Sequence, residues 1–439
     1  MVHCNQRMKN RIKRTCVTIL LLGMVNCARG QSSDTLTLDA AEATAVKNQP
    51  RLLAAQLRAQ SSAQRIRQTR SGYLPTVNFN ATGAQVADTG SAVSAGALAT
   101  SAVSGRFAYG GNLTQLVTDF GRTSALVAAS RSGAEAQQDV ATLTRAQVRL
   151  NVRRTFFQVL GAEAVLRAAE AARANRALVA RQLSALAQNE LRSTVDVNFA
   201  NVLVSEAELA VVRARSTVMQ NRSRLATAMG APQTIQNVLV EPHEETAPLP
   251  TTQEDLLKQA QTQRADLSAA TAQQKAAQNF ALSEKRLSLP TLNVMGAAGQ
   301  LPFHDHTLHD NYATIGFNLN IPVFNGGLFS ARRAEADLEA RARTQDVEQV
   351  RLAVNEQVRD SWYRADEAFR SLDVSARLVA QSKEALRLAQ ARYDAGLGSI
   401  VELNEAQLNE TSAEITSADA TYTYLTRRAE LDYAAGLLN

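Results

Sequence analysis

Cysteine is missing from nearly the whole chain. Only three cysteines occur in 439 residues, and all of them, Cys4, Cys16 and Cys27, lie within the first 30. The rest of the sequence can therefore form neither a disulfide framework nor a cysteine metal site. Cys27 is also a candidate for lipidation, although Asn26 before it is an unfavourable residue for the cleavage that lipidation requires.

The cysteine-containing segment has the pattern of a secretory signal. Basic residues run from Arg7 to Arg14, an apolar stretch over 17–25 is too short to span a bilayer, and Ala28-Arg29-Gly30 offers a small-x-small cleavage site. We expect residues 1–30 to be removed. The segment holds six basic residues and no acid, so its removal takes the formal charge from +6 to zero. The basic pI therefore gives no support for nucleic-acid binding, and we predict no nucleic-acid partner.

Aromatic residues and prolines are also scarce. Aromatics make up 5% of the sequence, while alanine, glutamine, arginine and leucine abound, which favours long packed helices over a large globular core. No proline occurs over 76–231 or 323–439. Two long helical stretches can therefore run without this interruption. The cluster "EPHEETAPLP" at 241–250 predicts an irregular linker between two halves.

The two halves repeat each other. "NLTQLVTDFGRTSALVAA" from Asn112 matches "NLNIPVFNGGLFSARRAE" from Asn318 at an offset of 206, which continues without a gap to Gly230 and Gly436. Upstream, the dipeptides Leu-Pro at 74–75 and 289–290 are offset by 215, so one loop is nine residues longer in the first half. We predict a helix, two strands and a long helical hairpin in each half. The predicted divisions are a signal at 1–30, a first repeat at 31–240, a linker at 241–252 and a second repeat at 253–439.

Heptad spacing supports the helical hairpins. Val152, Val159 and Leu166 recur every seven residues, and the second half has the same spacing from Leu372 to Tyr393. A helix from 122 to 188 would be roughly 100 Å long. Such a rod is far longer than a compact domain needs, so each helix should pack mainly on neighbours of its own kind.

The predicted strands alternate between apolar and polar residues. In "ATIGFNLNIPV" the apolar residues from Ala313 to Ile321 fall on one face, and in "PTVNFNATG" Val77, Phe79 and Ala81 do the same. A transmembrane barrel strand requires this pattern, and a half-buried soluble sheet also produces it. Four such strands cannot close a barrel, and an open sheet edge in lipid leaves backbone groups unsatisfied. A membrane barrel would need several copies, with three favoured because twelve strands leave a wet lumen.

The chain resembles the TolC-type outer membrane factor family of bacterial efflux and secretion systems. The resemblance covers essentially all of residues 31–439 and rests on the doubled Leu-Pro-then-strand pattern, the strand-to-helix passages "VTDFGR" and "VFNGG", and "YDAGLGSIVELNEA" at 393–406. It implies a mainly α protein with a transmembrane β portion. Three copies would form a 12-stranded β-barrel in the outer membrane of a Gram-negative bacterium, continued by a 12-helix coiled-coil α-barrel in the periplasm. A periplasmic adaptor and an inner-membrane transporter would be the partners, besides outer-membrane lipid.

The resemblance also assigns residues at the helical tips. It implies acidic rings at the periplasmic entrance from Glu402 and Glu405, and a closing link between Asp196 and Tyr393. Where the family has an arginine for a second link, this chain has Gly398. The implied adaptor-docking tip comprises Ala395, Gly396, Leu397, Gly398 and Ser399.

Local structure offers a second interpretation of the tip. Gly396 and Gly398 would supply the positive φ needed to reverse the chain, and Ser399 with Glu402 forms a capping box. The capping box accounts for Glu402 without any role in a pore, whereas Glu405 lies beyond capping reach. The first-half tip has Glu190 at the position of Gly396, so docking through that hairpin is less well supported.

The segment "HDHTLHD" at 304–310 holds His304, His306 and His309, which are weak candidates for zinc or copper ligands. The family has a short external loop at this position, and polar residues there need no further explanation, so we predict no metal site and no cofactor. The sequence contains no P-loop, dinucleotide glycine motif, nucleophile elbow or metalloprotease helix, and we do not expect an enzyme.

The predicted function is a passive exit duct of a tripartite efflux or type I secretion system, opened at its periplasmic tips. The alternative is an exported coiled-coil structural or adhesive protein, which accounts for the helices but not for the paired strands. A metal-binding exported protein is a third possibility.

Overall fold

The protein was analysed as a computed structural model. It describes residues 35–85, 92–95, 99–102, 106–190, 193–241, 249, 252–304 and 309–439. The predicted signal at 1–30 and its cysteines lie outside these ranges, as do most of the predicted linker and His306.

Two long helical hairpins dominate the molecule. In each, a helix of 67 residues is followed by one of 35: α3 (Arg122–Gln188) with α4 (Thr194–Ala228), and α7 (Leu328–Asp394) with α8 (Ile400–Ala434). The bounds of the second hairpin follow those of the first at the offset of 206 found in the sequence. No helix in the described ranges has both the length and the apolar character of a bilayer-crossing segment.

Each half contains two shorter helices where one was expected. In the first half α1 (Leu38–Asn48) and α2 (Pro50–Arg70) are separated at Gln49, which is extended because it precedes a proline. In the second half α5 (Gln253–Gln263) and α6 (Ala265–Lys285) are separated at Arg264, which has nearly the same backbone geometry without a proline.

Arg264 is held in its extended conformation by distant contacts. Its guanidinium bonds Asp266 at 2.5 Å and the Ala434 carbonyl at 3.3 Å, and it lies over the Tyr433 ring, 5.1 Å from the ring centroid. Ala434 and Tyr433 lie at the C-terminal end of α8, whereas Asp266 is only two residues away, at the start of α6. The break in the second half therefore depends in part on tertiary contacts, which local sequence signals do not reveal.

A four-stranded antiparallel sheet lies beyond the helices, in the order β2, β5, β7, β8. Its strands are β2 (Thr76–Ala84), β5 (Arg106–Thr118), β7 (Thr291–Phe303) and β8 (Asn311–Asn320). Within one protomer β2 and β8 are the edge strands, and each has only one neighbour. The four-strand prediction agrees with this sheet.

Two smaller pairings were not predicted. A hairpin of β3 (Ala92–Ala95) and β4 (Ala99–Ala102) lies in the longer loop of the first half. Two-residue strands β1 (Thr35–Leu36) and β6 (Val238–Leu239) pair in parallel. This last pair joins the start of the described chain to the segment just before the linker.

The two faces of the main sheet differ in polarity, and the apolar face is uncovered. Phe79 is 72% exposed and Ile315 82% exposed in the single chain. On the opposite face Asn80 of β2 and Asn112 of β5 are diagonal neighbours, and the Asn80 side-chain amide donates to Asn112 Oδ1 at 2.9 Å. A soluble sheet would bury the apolar face against helices, so the half-buried interpretation does not hold for this protomer.

Strands β5 and β8 each lead into a 67-residue helix through residues with left-handed backbone conformation. Phe120 and Gly121 have φ of +54° and +86°, and Gly326 and Gly327, at the same positions of the second half, have +62° and +85°. The buried Asp119 carboxylate accepts from the Gly121 amide at 3.0 Å and so stabilises the first passage. The sheet is thereby joined to both 67-residue helices in the same way.

The main core lies where α1, α2, α3, α4 and α8 meet. Phe156 and Phe157 pack edge to face at 6.2 Å between ring centroids and are fully buried, as is Tyr424 of α8. Along the rest of the hairpins the buried residues are mostly alanines and single aliphatic side chains. The contact layer between neighbouring helices is therefore thin.

A buried ion cluster ties three helices together beside this core. Glu42 of α1 accepts from Arg149 Nε at 2.8 Å and from Arg153 Nε at 2.5 Å, and Arg153 also reaches Asp432 of α8 at 3.3 Å. Burial raises the pKa of the Asp432 carboxyl, against the opposing effect of Arg153. Glu42 is thus the acceptor that joins α1 to α3.

We expect Glu42→Gln to lower the free energy of unfolding by about 3 kcal/mol, because it removes the carboxylate that two largely buried arginines share and leaves Arg153 only its longer contact with Asp432. The matched control is Asp39→Asn, an exposed acid on the same helix, whose cost should stay below about 1 kcal/mol. Denaturant unfolding in detergent, followed by circular dichroism, measures both. Equal losses in the two variants would contradict the structural role of the cluster.

Candidate pore entrance at the helical tips

The second-half tip is a tight helix-ending turn. Gly396 has φ of +74°, its amide donates to the Tyr393 carbonyl at 3.0 Å, and the Leu397 amide donates to the Arg392 carbonyl at 2.8 Å. This pair of bonds defines a Schellman motif, which satisfies carbonyls left free at the end of α7. Gly396 therefore has the role in chain reversal that was predicted for it.

Gly398 has a different role from the one predicted. Its φ is not among the positive values, so it does not help to reverse the chain through left-handed backbone. A Cβ at this position would instead lie 3.1 Å from the Tyr393 nitrogen and 3.2 Å from Arg392 Cβ. Glycine is suited to this position because α7 comes too close for a side chain.

The capping box at the start of α8 is half formed. The Ser399 hydroxyl accepts from the Glu402 amide at 3.1 Å, as predicted. The Glu402 carboxylate does not complete the box on the Ser399 amide, within the residues described, but pairs with Arg392 Nε of α7 at 3.0 Å. Sequence reasoning missed Arg392, although an arginine in the last turn of α7 and an acid in the first turn of α8 were visible.

Both predicted ring residues lie on the exposed side of α8. Glu402 and Glu405 are exposed, whereas Leu403 and Asn404 between them are buried. The two acids are three residues apart and therefore lie on nearly the same face. The geometry leaves both carboxylates available to solvent at the tip, one with an arginine beside it.

Tyr393 lies between the two hairpins. It packs against the buried cluster around Leu183 in the first hairpin, which Val197 also contacts, and against the cluster around Leu403 in the second. Asp196 precedes Val197 and is partly exposed. The structure therefore brings both members of the predicted closing link to the same end of the molecule, and the link itself stays a prediction.

The described part of the first-half tip, up to Glu190, begins like the other turn but without a glycine. Glu190 has φ of +59°, and its amide donates to the Ala187 carbonyl at 3.0 Å, which repeats the Gly396 bond of the other tip. Ser193 then caps α4 by accepting from the Val195 amide at 3.1 Å. Glu190 thus has the left-handed conformation of Gly396 although its residue type departs from the glycine pattern, at the cost of a strained backbone.

The histidine segment does not form a metal centre in the described part of the chain. His304 Nε2 lies 2.8 Å from Asp310 Oδ1, and His309 is exposed. No group of three potential ligands that could hold a metal occurs among the described residues. His306, the third histidine predicted as a weak metal-ligand candidate, lies outside the described residues.

Comparison with known families decides the class of the protein. The family model described as "outer membrane efflux protein" matches residues 43–231 and 256–437. The chain belongs to the outer membrane efflux protein family. Its location is the Gram-negative outer membrane and its class of function is efflux through a channel, as predicted, and the coiled-coil structural or adhesive alternative is not favoured. The outer membrane efflux family is one of channel proteins.

Individual relatives share low sequence identity with this chain, and the length of the match differs among them. The chain is 24% identical over 408 residues to the outer membrane protein TolC of Vibrio cholerae, covering 90% of this chain and 89% of that protein. The match to TolC of Salmonella enteritidis, at 25% identity, covers 42% of this chain and only 40% of that protein. A solved membrane protein from Pseudomonas aeruginosa superposes with a TM-score of 0.78 at 21% identity, covering 91% of this chain and 93% of that one. This likeness shows that the fold is shared.

We expect Gly396→Ala to destabilise the tip by about 1–2 kcal/mol, because an L side chain at this φ is strained although the space around it is open. Hydrogen exchange of amides at the end of α7 should quicken by about 5- to 30-fold. The matched control is Gly133→Ala in α3, which has equally open space and no positive φ, and should not quicken exchange there. Unchanged exchange at the Gly396→Ala tip would contradict the strain argument.

Proposed function

We propose that three copies of the chain assemble into a single duct that runs from the helical tips in the periplasm through the outer membrane. The observation that supports this most strongly is the four-stranded sheet with an exposed apolar face and two unpaired edges. Such a sheet is unstable in lipid unless its edges find partners. Neighbouring copies supply these partners when β8 of one pairs with β2 of the next.

The strand directions allow this ring to close. Every adjacent pair in the sheet is antiparallel, so β2 and β8 themselves run in opposite directions. Placing β8 of one copy beside β2 of the next continues the antiparallel alternation. Two copies would give eight strands with a lumen filled by side chains, whereas three give twelve and leave room for water.

The polarity of the sheet assigns its faces. Val77, Phe79, Ile315 and Phe317 would contact outer-membrane lipid, because they share the apolar face. The asparagine face around Asn80 would line the lumen. Solute would travel passively through this wet path, with energy supplied by an inner-membrane transporter.

The tips would form the periplasmic entrance. Glu402 and Glu405 from each copy would surround the axis as acidic rings that attract cations. The closing link would join Asp196 to Tyr393, and the segment Ala395–Ser399 would dock on the periplasmic adaptor. Movement of the two hairpins apart would separate Tyr393 from the residues around Val197 and open the entrance.

Engineered cysteines test the closure of the barrel, because residues 31–439 contain no native cysteine. Asn80→Cys in β2 is combined in turn with Thr314→Cys, Gly316→Cys or Asn318→Cys on the same face of β8. At least one combination should give disulfide-linked dimers and trimers, and nothing larger, on non-reducing gels.

Asn80→Cys with Phe317→Cys is the control for this experiment. These two residues lie on opposite faces, so their Cβ atoms point apart and cannot be bridged. Monomers alone in every same-face combination, from a protein extracted from the outer membrane, would contradict the shared barrel.

Conductance in planar bilayers tests the acidic rings. We expect the wild-type protein to prefer cations. The double variant Glu402→Gln plus Glu405→Gln should lose most of that preference, because the carboxylates that attract cations are gone. The reversal potential in a potassium chloride gradient measures the effect. Replacement of Glu410, which lies further along α8, by glutamine provides a control. A double variant as cation-selective as the wild type would remove the entrance-ring assignment.

A further inference from the structure

The ion pair at the tip turn distinguishes the two predicted ring residues. Arg392 Nε lies 3.0 Å from Glu402 Oε1, which joins the last turn of α7 to the first turn of α8. Glu405 is exposed one turn further along. We propose that Arg392 sets the charge of the entrance rings by pairing with Glu402, so that Glu405 supplies the net negative charge of these three groups in each protomer.

Arg392 is hydrogen-bonded to the turn through both its backbone and its side chain. Its carbonyl accepts from the Leu397 amide at 2.8 Å and from the Gly398 amide at 3.0 Å, and its Nη2 donates to the Leu397 carbonyl at 3.3 Å. The guanidinium is therefore placed by the same bonds that shape the turn. Its position does not depend on the attraction of Glu402 alone.

Gly398 leaves the space that this arrangement needs. A Cβ there would lie 3.2 Å from the Arg392 Cβ, tighter than nearly all real contacts. A residue with a side chain at 398 would therefore displace the stem of Arg392. The positive charge at this tip is thus carried by residue 392, on the α7 side of the turn.

The Arg392–Glu402 pair is exposed to solvent, and this exposure determines how much it can contribute to stability. Arg392 and Glu402 are 57% and 45% exposed, so the pair adds little to stability. Its effect on permeating ions is different, because an ion near the entrance meets the summed charge of all nearby groups. Within this group Glu402, Glu405 and Arg392 leave one net negative charge in each protomer, and without the arginine they would leave two.

This inference rests on the proposed function, since it matters only if the tips surround a pore. The test uses trimers in planar bilayers and measures block by cobalt(III) hexammine, a trivalent cation, together with the reversal potential. Arg392→Gln should bind the blocker about tenfold more tightly and become more cation-selective, because a further carboxylate per protomer is unbalanced. Arg392→Lys keeps the positive charge and should behave like the wild type.

The pair can also be removed as a neutral unit. Arg392→Gln with Glu402→Gln leaves Glu405 as the only charge of the three and should restore wild-type block and selectivity. Glu402→Gln alone should weaken the block, and adding Arg392→Gln should reverse that loss. This comparison decides the question even if Arg392→Gln alone does not assemble.

Two results would overturn the proposal. One is an assembled Arg392→Gln channel with the same block and reversal potential as the wild type. The other is a double variant that is no different from Glu402→Gln alone. A wild-type protein that forms no pore, or one without cation preference, would instead contradict the proposed function on which the inference rests.

Discussion

The backbone edges of the four-stranded sheet constrain everything else in this protein. Among the described residues β2 and β8 each pair with a single strand, which leaves one row of amides and carbonyls on each without a strand partner, and beside them lies an exposed apolar face. Water can satisfy those groups and lipid cannot. A chain of this kind can enter a membrane only when copies of itself complete the hydrogen bonding. In the proposed trimer the enclosed lumen would be a consequence of that requirement, because a closed ring of twelve strands has a hollow interior.

The equal helix lengths follow from the same geometry. Both 67-residue helices leave the sheet through similar left-handed passages, at Phe120–Gly121 and at Gly326–Gly327. If the two hairpins are to meet at one entrance, they must end at the same level. A single inserted residue would rotate one tip by about 100° and move it by about 1.5 Å relative to the other. The gapless offset of 206 between the halves satisfies this condition, and it places Glu190 where the other tip has Gly396.

Periodicity and self-similarity were enough to predict the long helices, the four strands and the common offset. The helices and strands depend on patterns within short windows, and the offset depends on the match between the two halves. A single sequence displays both. The features that were missed depend on distant partners. Arg264 is extended because the end of α8 binds its side chain, and Arg392 is relevant because Glu402, across the turn, accepts from it. A sequence states that such residues are present but not which of several acids or carbonyls each one will contact.

The tip illustrates how local stability and pore chemistry can use the same residues. Glu402 occupies the first turn of α8, where a negative charge is favoured by the helix dipole and where the Ser399 cap fixes the backbone. An acid there would be expected in a protein without any pore. Its carboxylate is also balanced by Arg392, so its presence alone says little about ion selection. Glu405 has neither explanation, because it lies beyond the cap and on the exposed face of α8. Of the two acids, Glu405 is therefore the one whose position is explained by a pore entrance and not by the local structure of α8.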